Sequence, residues 1–184
     1  RQAEGLAAVE EAVAIRRTLA EANPHAYLPD LAKSLNNLSN RLGDLGRGEE
    51  GLAAVKEALG HYRALVKANP DAYLPHLAAS LNNLSVHLGG VGRQAEGLAA
   101  VEEAVAIRRT LAEANPHAYL PDLAGSLNNL SVHLGGVGRQ AEGLAAVKEA
   151  LGHYRALAED NPDLFGPALQ QCLEVVGWLN GIDP

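Results

Sequence analysis

Gly5-Leu6-Ala7-Ala8-Val9 returns without change at Gly51–Val55, Gly97–Val101 and Gly143–Val147, a constant step of 46, and four such steps make the 184 residues of the chain. A fixed period of this length marks a repeat architecture, in which each unit is one supersecondary element that cannot bury its apolar face alone. The repeats fall at 1–46, 47–92, 93–138 and 139–184, read together as a single repeat domain. A second period of 92 overlies the first. Repeats one and three differ at only five positions (Lys33/Gly125, Asn40/Val132, Arg41/His133, Asp44/Gly136, Leu45/Val137), while Gly51–Leu65 of repeat two is identical to Gly143–Leu157 of repeat four. Odd repeats carry Ala-Ile-Arg-Arg where even repeats carry Gly-His-Tyr-Arg.

Each repeat holds two helical patterns. Leu31, Leu35, Leu38, Leu42 and Leu45 follow a 4-3-4-3 spacing, one stripe of an α-helix, with Pro29 suited to its first turn and Gly46 to its stop. The second pattern, about Glu49 to Lys67, lines up Leu52, Val55, Leu59, Tyr62 and Val66 and ends at Ala-Asn-Pro, where proline bars continuation. The short turn at Gly46-Arg47 predicts antiparallel pairs, and Asn69-Pro70-Asp71-Ala72-Tyr73-Leu74-Pro75 reads as a longer link to the next pair. The expected fold is therefore all-α, an α-solenoid of antiparallel helix pairs with about eight helices.

The phrase Leu-x3-Gly-Arg-x-x-Glu-[Gly/Ala]-Leu-Ala-Ala-Val-x-Glu-Ala resembles the tetratricopeptide repeat, with Leu38, Ser39, Leu42, Gly46, Gly51 and Ala58 where that family places its leucine, small, bulky, turn-glycine and small packing residues. The Leu-Asn-Asn-Leu phrase and the long helices are most similar to the kinesin-light-chain branch and to actinobacterial arrays that sit beside signalling modules in larger proteins. The resemblance implies a right-handed superhelix whose concave wall holds a peptide or partner segment. Three features depart from the family pattern: the signature tryptophan is missing, a glycine (Gly51, Gly97, Gly143) replaces the usual alanine, and the closing proline comes late. At the end of the chain a helix at about 167–180 takes a first-helix slot, but with Glu174-Val175 in place of the asparagine pair, and reads as a cap.

Composition narrows the chemistry. A net charge of −7 argues against a general nucleic-acid or acidic-membrane binder, and no apolar run approaches the roughly 18 residues that span a bilayer. One cysteine, Cys172, closes no internal disulfide, and its apolar setting suits an inert core thiol. The missing methionine reads as a piece cut from a longer protein, 11 arginines against 4 lysines, with abundant alanine, read as a GC-rich bacterial genome, and the polar opening Arg1-Gln2-Ala3-Glu4, unlike a signal peptide, leads to the expectation of a cytoplasmic protein. There is no Gly-rich phosphate loop, no His-Glu-x-x-His and no Cys-x-x-Cys, and the serines lie mid-helix with no base beside them. No enzyme and no cofactor are expected. Glu57 with His61, and Glu149 with His153, share a helix face at i, i+4, yet two ligands fall short of a metal site.

The face opposite the leucine stripe carries Lys33, Asn36, Asn40 and Asp44, with Asn37 at its margin. Equivalent positions give rows: Asn36, Asn82, Asn128; Asn37, Asn83, Asn129; and Asn40, Val86, Val132, Trp178. An amide offers donors and an acceptor to any peptide group, so these asparagines form a candidate ladder for a bound backbone, with Val86, Val132 and Trp178 a candidate apolar hot spot. The alternative for the asparagines is that they cross-link neighbouring helices or stand in solvent, which is the less favoured reading because asparagine is a mediocre helix former and three units keep the pair, and Trp178 could equally be buried in the cap. The expected partner is a protein or peptide, with no nucleic acid and no membrane. The competing possibility is a structural, self-associating array, since near-identical units lack a specific pocket. The helix from Gln2 to Ala22 has no preceding partner, so Leu6, Val9 and Val13 are expected to stand partly uncovered and to pair two chains into a homodimer. Glu174 and the tail Gly181-Ile182-Asp183-Pro184 are expected to block growth at the other end.

Overall fold

The computed structural model describes residues 2–181. Eight helices follow one another: α1 (Gln2–Ala22), α2 (Pro24–Asp44), α3 (Gly48–Ala68), α4 (Pro70–Gly90), α5 (Gln94–Ala114), α6 (Pro116–Gly136), α7 (Gln140–Asp160) and α8 (Pro162–Leu179). No strand occurs among the described residues, and none of these helices is long and apolar enough to cross a membrane. The tail residues 182–184 lie outside the described residues. The chain divides into two compact units, Arg1–Gly92 and Arg93–Pro184, each holding two repeats.

Two kinds of connection make the hairpins. After α2, Gly46 takes φ +72°, the Gly46 N–H donates to the Gly43 carbonyl (2.9 Å), and the Arg47 N–H donates to the Leu42 carbonyl (2.8 Å). This left-handed closure satisfies carbonyls that a helix end otherwise leaves bare, and glycine adopts it without a Cβ penalty. Gly138 (φ +82°) closes α6 in the same way. Between α3 and α4 a single residue suffices: Asn69 ends α3, and its side-chain oxygen accepts the Ala72 N–H (3.2 Å) to cap α4, with Pro70 next in line.

Two helix boundaries differ from those expected from the sequence. Asn69–Pro75 is not a long link, because α4 begins at Pro70, and Pro29 lies inside α2 rather than opening it. Pro29 removes one N–H and therefore one i→i−4 bond, but it sits in the second turn, near an end already anchored by Asn23. The cap outweighs the proline. The same shift starts α8 at Pro162, earlier than the expected 167, and Leu45 falls outside α2 and is 37% exposed.

In the first unit, α2 lies against α1, α3 and α4. Leu35 is fully buried among Val13, Ala20, Leu31 and Ala58, and Leu6 packs with Leu42 and Ala54. Leu6 and Val13 are thus core residues, 8% and 2% exposed, because they face α2. The expected open stripe is corrected: Val9 alone of the three is only partly covered, and the large apolar side chains exposed on α1 are Ile15 (54%) and Leu19 (37%). In the second unit one core joins α5 to α8 through Val101, Leu127, Val147 and Cys172.

The 92-residue period has a packing cause. Arg16 and Arg108 share a slot with Tyr62 and Tyr154, one repeat apart. Arg108 is 7% exposed, and its guanidinium donates to the Asp122 carbonyl (2.8 Å) and to Ser126 Oγ. Burial lowers its pKa, opposed by the Asp122 carboxylate. Tyr62 instead stacks on His76, ring centroids 5.5 Å apart at 11°, and burial pushes its phenol up to about 12. Residue 76 of repeat two corresponds to Asp30 and Asp122 in the odd repeats, so Arg goes with Asp, while Tyr62 goes with His76 and Tyr154 of repeat four, where this position is Ala168, lies against Phe165 instead.

Candidate functional site

The asparagine face of the first unit is built where α2 meets α4. Asn36 is half-buried, and its Oδ1 accepts Ser80 Oγ–H (3.2 Å) and Asn83 Nδ2–H (3.3 Å), so these three side chains cross-link the two helices. Asn37, Asn40 and Lys33 are exposed on α2, and Val86 is 54% exposed on α4. Asn82 is half-buried. Near the carboxyl ends of α2 and α4 an open groove of about 690 Å³ brings together Asn40, Asp44, Asn83 and Val86, with Gly43 and His87 in its wall. Gly46, Gly48 and Gly90 line the rest and contribute no side chains.

The histidine and the glycines of this wall were not marked as site residues by sequence. His87, 8% exposed, lies so close to α3 that a Cβ added to Gly51 would meet its Cε1 at 2.5 Å and the Ser39 carbonyl oxygen at 3.0 Å. A Cβ at Gly43 would meet the same ring atom at 3.0 Å. The ring N–H donates to the Ser39 carbonyl, but burial dominates and lowers the imidazole pKa. In the second unit His133 is seated against Gly97 at 2.2 Å by the same measure. The glycine that departs from the family's alanine therefore makes room for a histidine 36 residues later. The glycine itself stands in all four repeats and gives no clue to this: it faces His87 at Gly51 and His133 at Gly97, Leu179 at Gly143, and nothing within 4 Å at Gly5, whose equivalent partner is Arg41.

In the second unit the same face is altered. Asn128 is 5% exposed, and its Oδ1 has no hydrogen-bond partner. Adding 92 to Ser80 and Asn83, the donors to Asn36, gives Cys172 and Val175, which offer no comparable donor. Asn129 is half-buried and Val132 is 38% exposed. Trp178 remains 48% exposed while its ring lies over Gly135, where a Cβ would stand 2.5 Å from Cζ3 and Cη2.

The other candidates resolve as packing. All six serines of the Ser-Leu-Asn-Asn-Leu-Ser phrases are buried, and Ser39, Ser85 and Ser131 donate to helix carbonyls three residues back. Cys172 is fully buried, and desolvation raises its thiol to about 11. His61 Nε2 lies 3.9 Å from Glu57, but both Glu57 oxygens are held by Arg17 (3.0 and 2.5 Å). Glu149 is held likewise by Arg109 (2.5 and 2.7 Å), which lowers its pKa. No group of three or more His, Cys, Asp or Glu able to hold a metal occurs among the described residues.

The tetratricopeptide-repeat profile matches residues 31–71 and 77–118. No curated protein matches the chain. The crystal structure of BtubC (BKLC) from P. vanneervenii is similar with a TM-score of 0.69 and 19% identity, covering 98% of this chain and 67% of that one. The crystal structure of MamA is similar with a TM-score of 0.51 and 12% identity, covering 95% of this chain and 88% of that one. At such identities the likeness is one of fold.

Proposed function

Since this chain is an array of tetratricopeptide repeats, a fold that generally serves contacts between proteins, we propose that it is an interaction scaffold, a module of a larger bacterial, cytoplasmic protein, with no catalytic role of its own. It holds a peptide or partner segment against the asparagine-bearing face of its first-type helices. In the first unit the bound backbone meets Asn37, Asn40 and Asn82, with Val86 as the apolar contact; in the second it meets Asn129, Val132 and Trp178. Asn36 and Asn83 set the spacing of α2 and α4 through their mutual hydrogen bond, Asn83 also lining the groove, while Asn128 lies buried beneath the face. The observation that carries the reading is the groove of about 690 Å³ that gathers Asn40, Asn83 and Val86, a size suited to ligand side chains. The test is a peptide selected from a random library against the whole chain, then titrated against Asn37→Ala/Asn40→Ala. Loss of affinity with unchanged helicity is expected; unchanged affinity overturns the reading.

A self-associating array is the second reading, and the exposed pair Ile15 and Leu19 on α1 favours it. A homodimer through α1 would bury both. Sedimentation of the chain beside Ile15→Glu/Leu19→Glu decides it: a monomer without the charges, or a dimer that survives them, removes this reading.

A further inference from the structure

We infer that the groove between the carboxyl ends of α2 and α4 takes an aromatic side chain, tryptophan best of all, from a segment with a lysine or arginine beside that aromatic. The inference rests on the peptide-binding reading above and names the chemistry of the segment.

The second unit supplies the template. Adding 92 to Asn40, Gly43, Asp44, Asn83, Val86 and His87 gives Val132, Gly135, Gly136, Val175, Trp178 and Leu179. There the position of Val86 is a tryptophan whose ring lies over the bare backbone of Gly135, with Leu179 Cδ2 also 2.6 Å from where a Cβ would be. In the first unit the His87 ring meets the Cβ position of Gly43, Cε1 at 3.0 Å, and the smaller Val86 stands in the place of Trp178 and lines the groove. The space that the second unit fills from its own chain therefore remains open as the groove. Glycine backbone, Val86 and the His87 ring line it, a surface that suits the flat, apolar face of an indole, and Asn40 and Asn83 add amides to the lining.

Charge distinguishes the two units. Asp44 lines the groove where the second unit has Gly136, and it is exposed, so a cation one residue from the aromatic meets a carboxylate. Exposure screens that attraction, so it selects between ligands by a few-fold while the ring supplies most of the affinity.

Three blocked tripeptides test the site by amide-resonance titration of the whole chain: acetyl-Gly-Trp-Lys-amide, acetyl-Gly-Trp-Glu-amide and acetyl-Gly-Ala-Lys-amide. The expected result is that Gly-Trp-Lys shifts Gly43, Gly46 and Gly90 and binds about thirty-fold tighter than Gly-Ala-Lys, with Gly-Trp-Glu weaker by roughly three-fold. Val86→Trp closes the groove from α4 and Asn40→Trp closes it from α2; either abolishes binding with helicity intact, and Asp44→Asn removes the preference for lysine over glutamate. Equal binding to both groove-filling variants, or no shift at the three glycines, overturns the inference. The two readings separate cleanly. A library-selected peptide that lacks an aromatic, survives Val86→Trp and is lost with Asn37→Ala/Asn40→Ala leaves the scaffold standing and removes the aromatic site. Failure of every peptide on this face removes both.

Discussion

Gly51→Ala and Gly60→Ala make the same chemical change in the same helix, α3, and should move stability in opposite directions. A glycine in a helix interior costs roughly 0.5–1 kcal/mol relative to alanine, and Gly60 has nothing within 4 Å of its missing Cβ, so Gly60→Ala should gain that amount. At Gly51 the new methyl would lie 2.5 Å from His87 Cε1 and 3.0 Å from the Ser39 carbonyl. Carbon contacts are comfortable at about 3.5–4.0 Å, so the ring must retreat by about 1 Å. Its retreat is limited, because it is buried, hydrogen-bonded to Ser39 and close to Gly43 as well. Overpacking of this kind costs about 1–3 kcal/mol, which exceeds the helix gain. Gly51→Ala should thus lose about 1–2 kcal/mol, a fall in Tm of roughly 4–8 °C per kcal/mol for a cooperative block the size of one unit. Thermal unfolding of both single variants, and of Gly51→Ala/His87→Ala, supplies the readout. In the double variant the alanine at 51 should be clearly less harmful relative to His87→Ala alone, the Ser39 carbonyl at 3.0 Å being the close contact that remains. A Gly51→Ala protein as stable as Gly60→Ala would refute the ring-on-backbone packing.

Acid should weaken the first unit through the same residue. The folded-state pKa of His87 is lowered below its unfolded value, so its contribution is complete above about pH 6.5 and is lost as pH falls from there towards the folded pKa; urea midpoints at pH 7.5 and 5 should converge in His87→Gln, and an unaltered pH slope counts against the assignment. Cys172→Ser places beside Asn128 the donor that Ser80 gives to Asn36, so it should be neutral or stabilise by about 1 kcal/mol, and a clear loss in denaturant midpoint contradicts the inferred equivalence. Asn36→Leu, by contrast, strands Ser80 and Asn83 and should cost about 1–3 kcal/mol in the same assay. Unmodified Cys172 should resist thiol reagents at pH 8 until the unit unfolds, given full burial and a pKa of about 11; rapid labelling of the native chain would show otherwise.

The helices, their pairing and both periods were readable from the chain itself, because hydrophobic spacing reports the angle at which a side chain leaves its helix axis. Leu31, Leu35 and Leu42 are buried, as their stripe requires. Helix starts are ambiguous where two local signals compete: Pro29 reads as an opening residue, although the Asn23 cap almost two turns earlier governs. Spacing cannot say which neighbour covers a given angle. Asn36 and Asn37 differ by one position in sequence, yet one is tied to Ser80 and Asn83 across 3.2–3.3 Å and the other is exposed, because α4 packs against only one side of α2. The groove, the seating of His87 on Gly51 and the unpartnered Asn128 belong to the same class. Each depends on residues about 36 to 47 positions apart meeting at van der Waals distance, and only the closed packing of successive helices sets that distance.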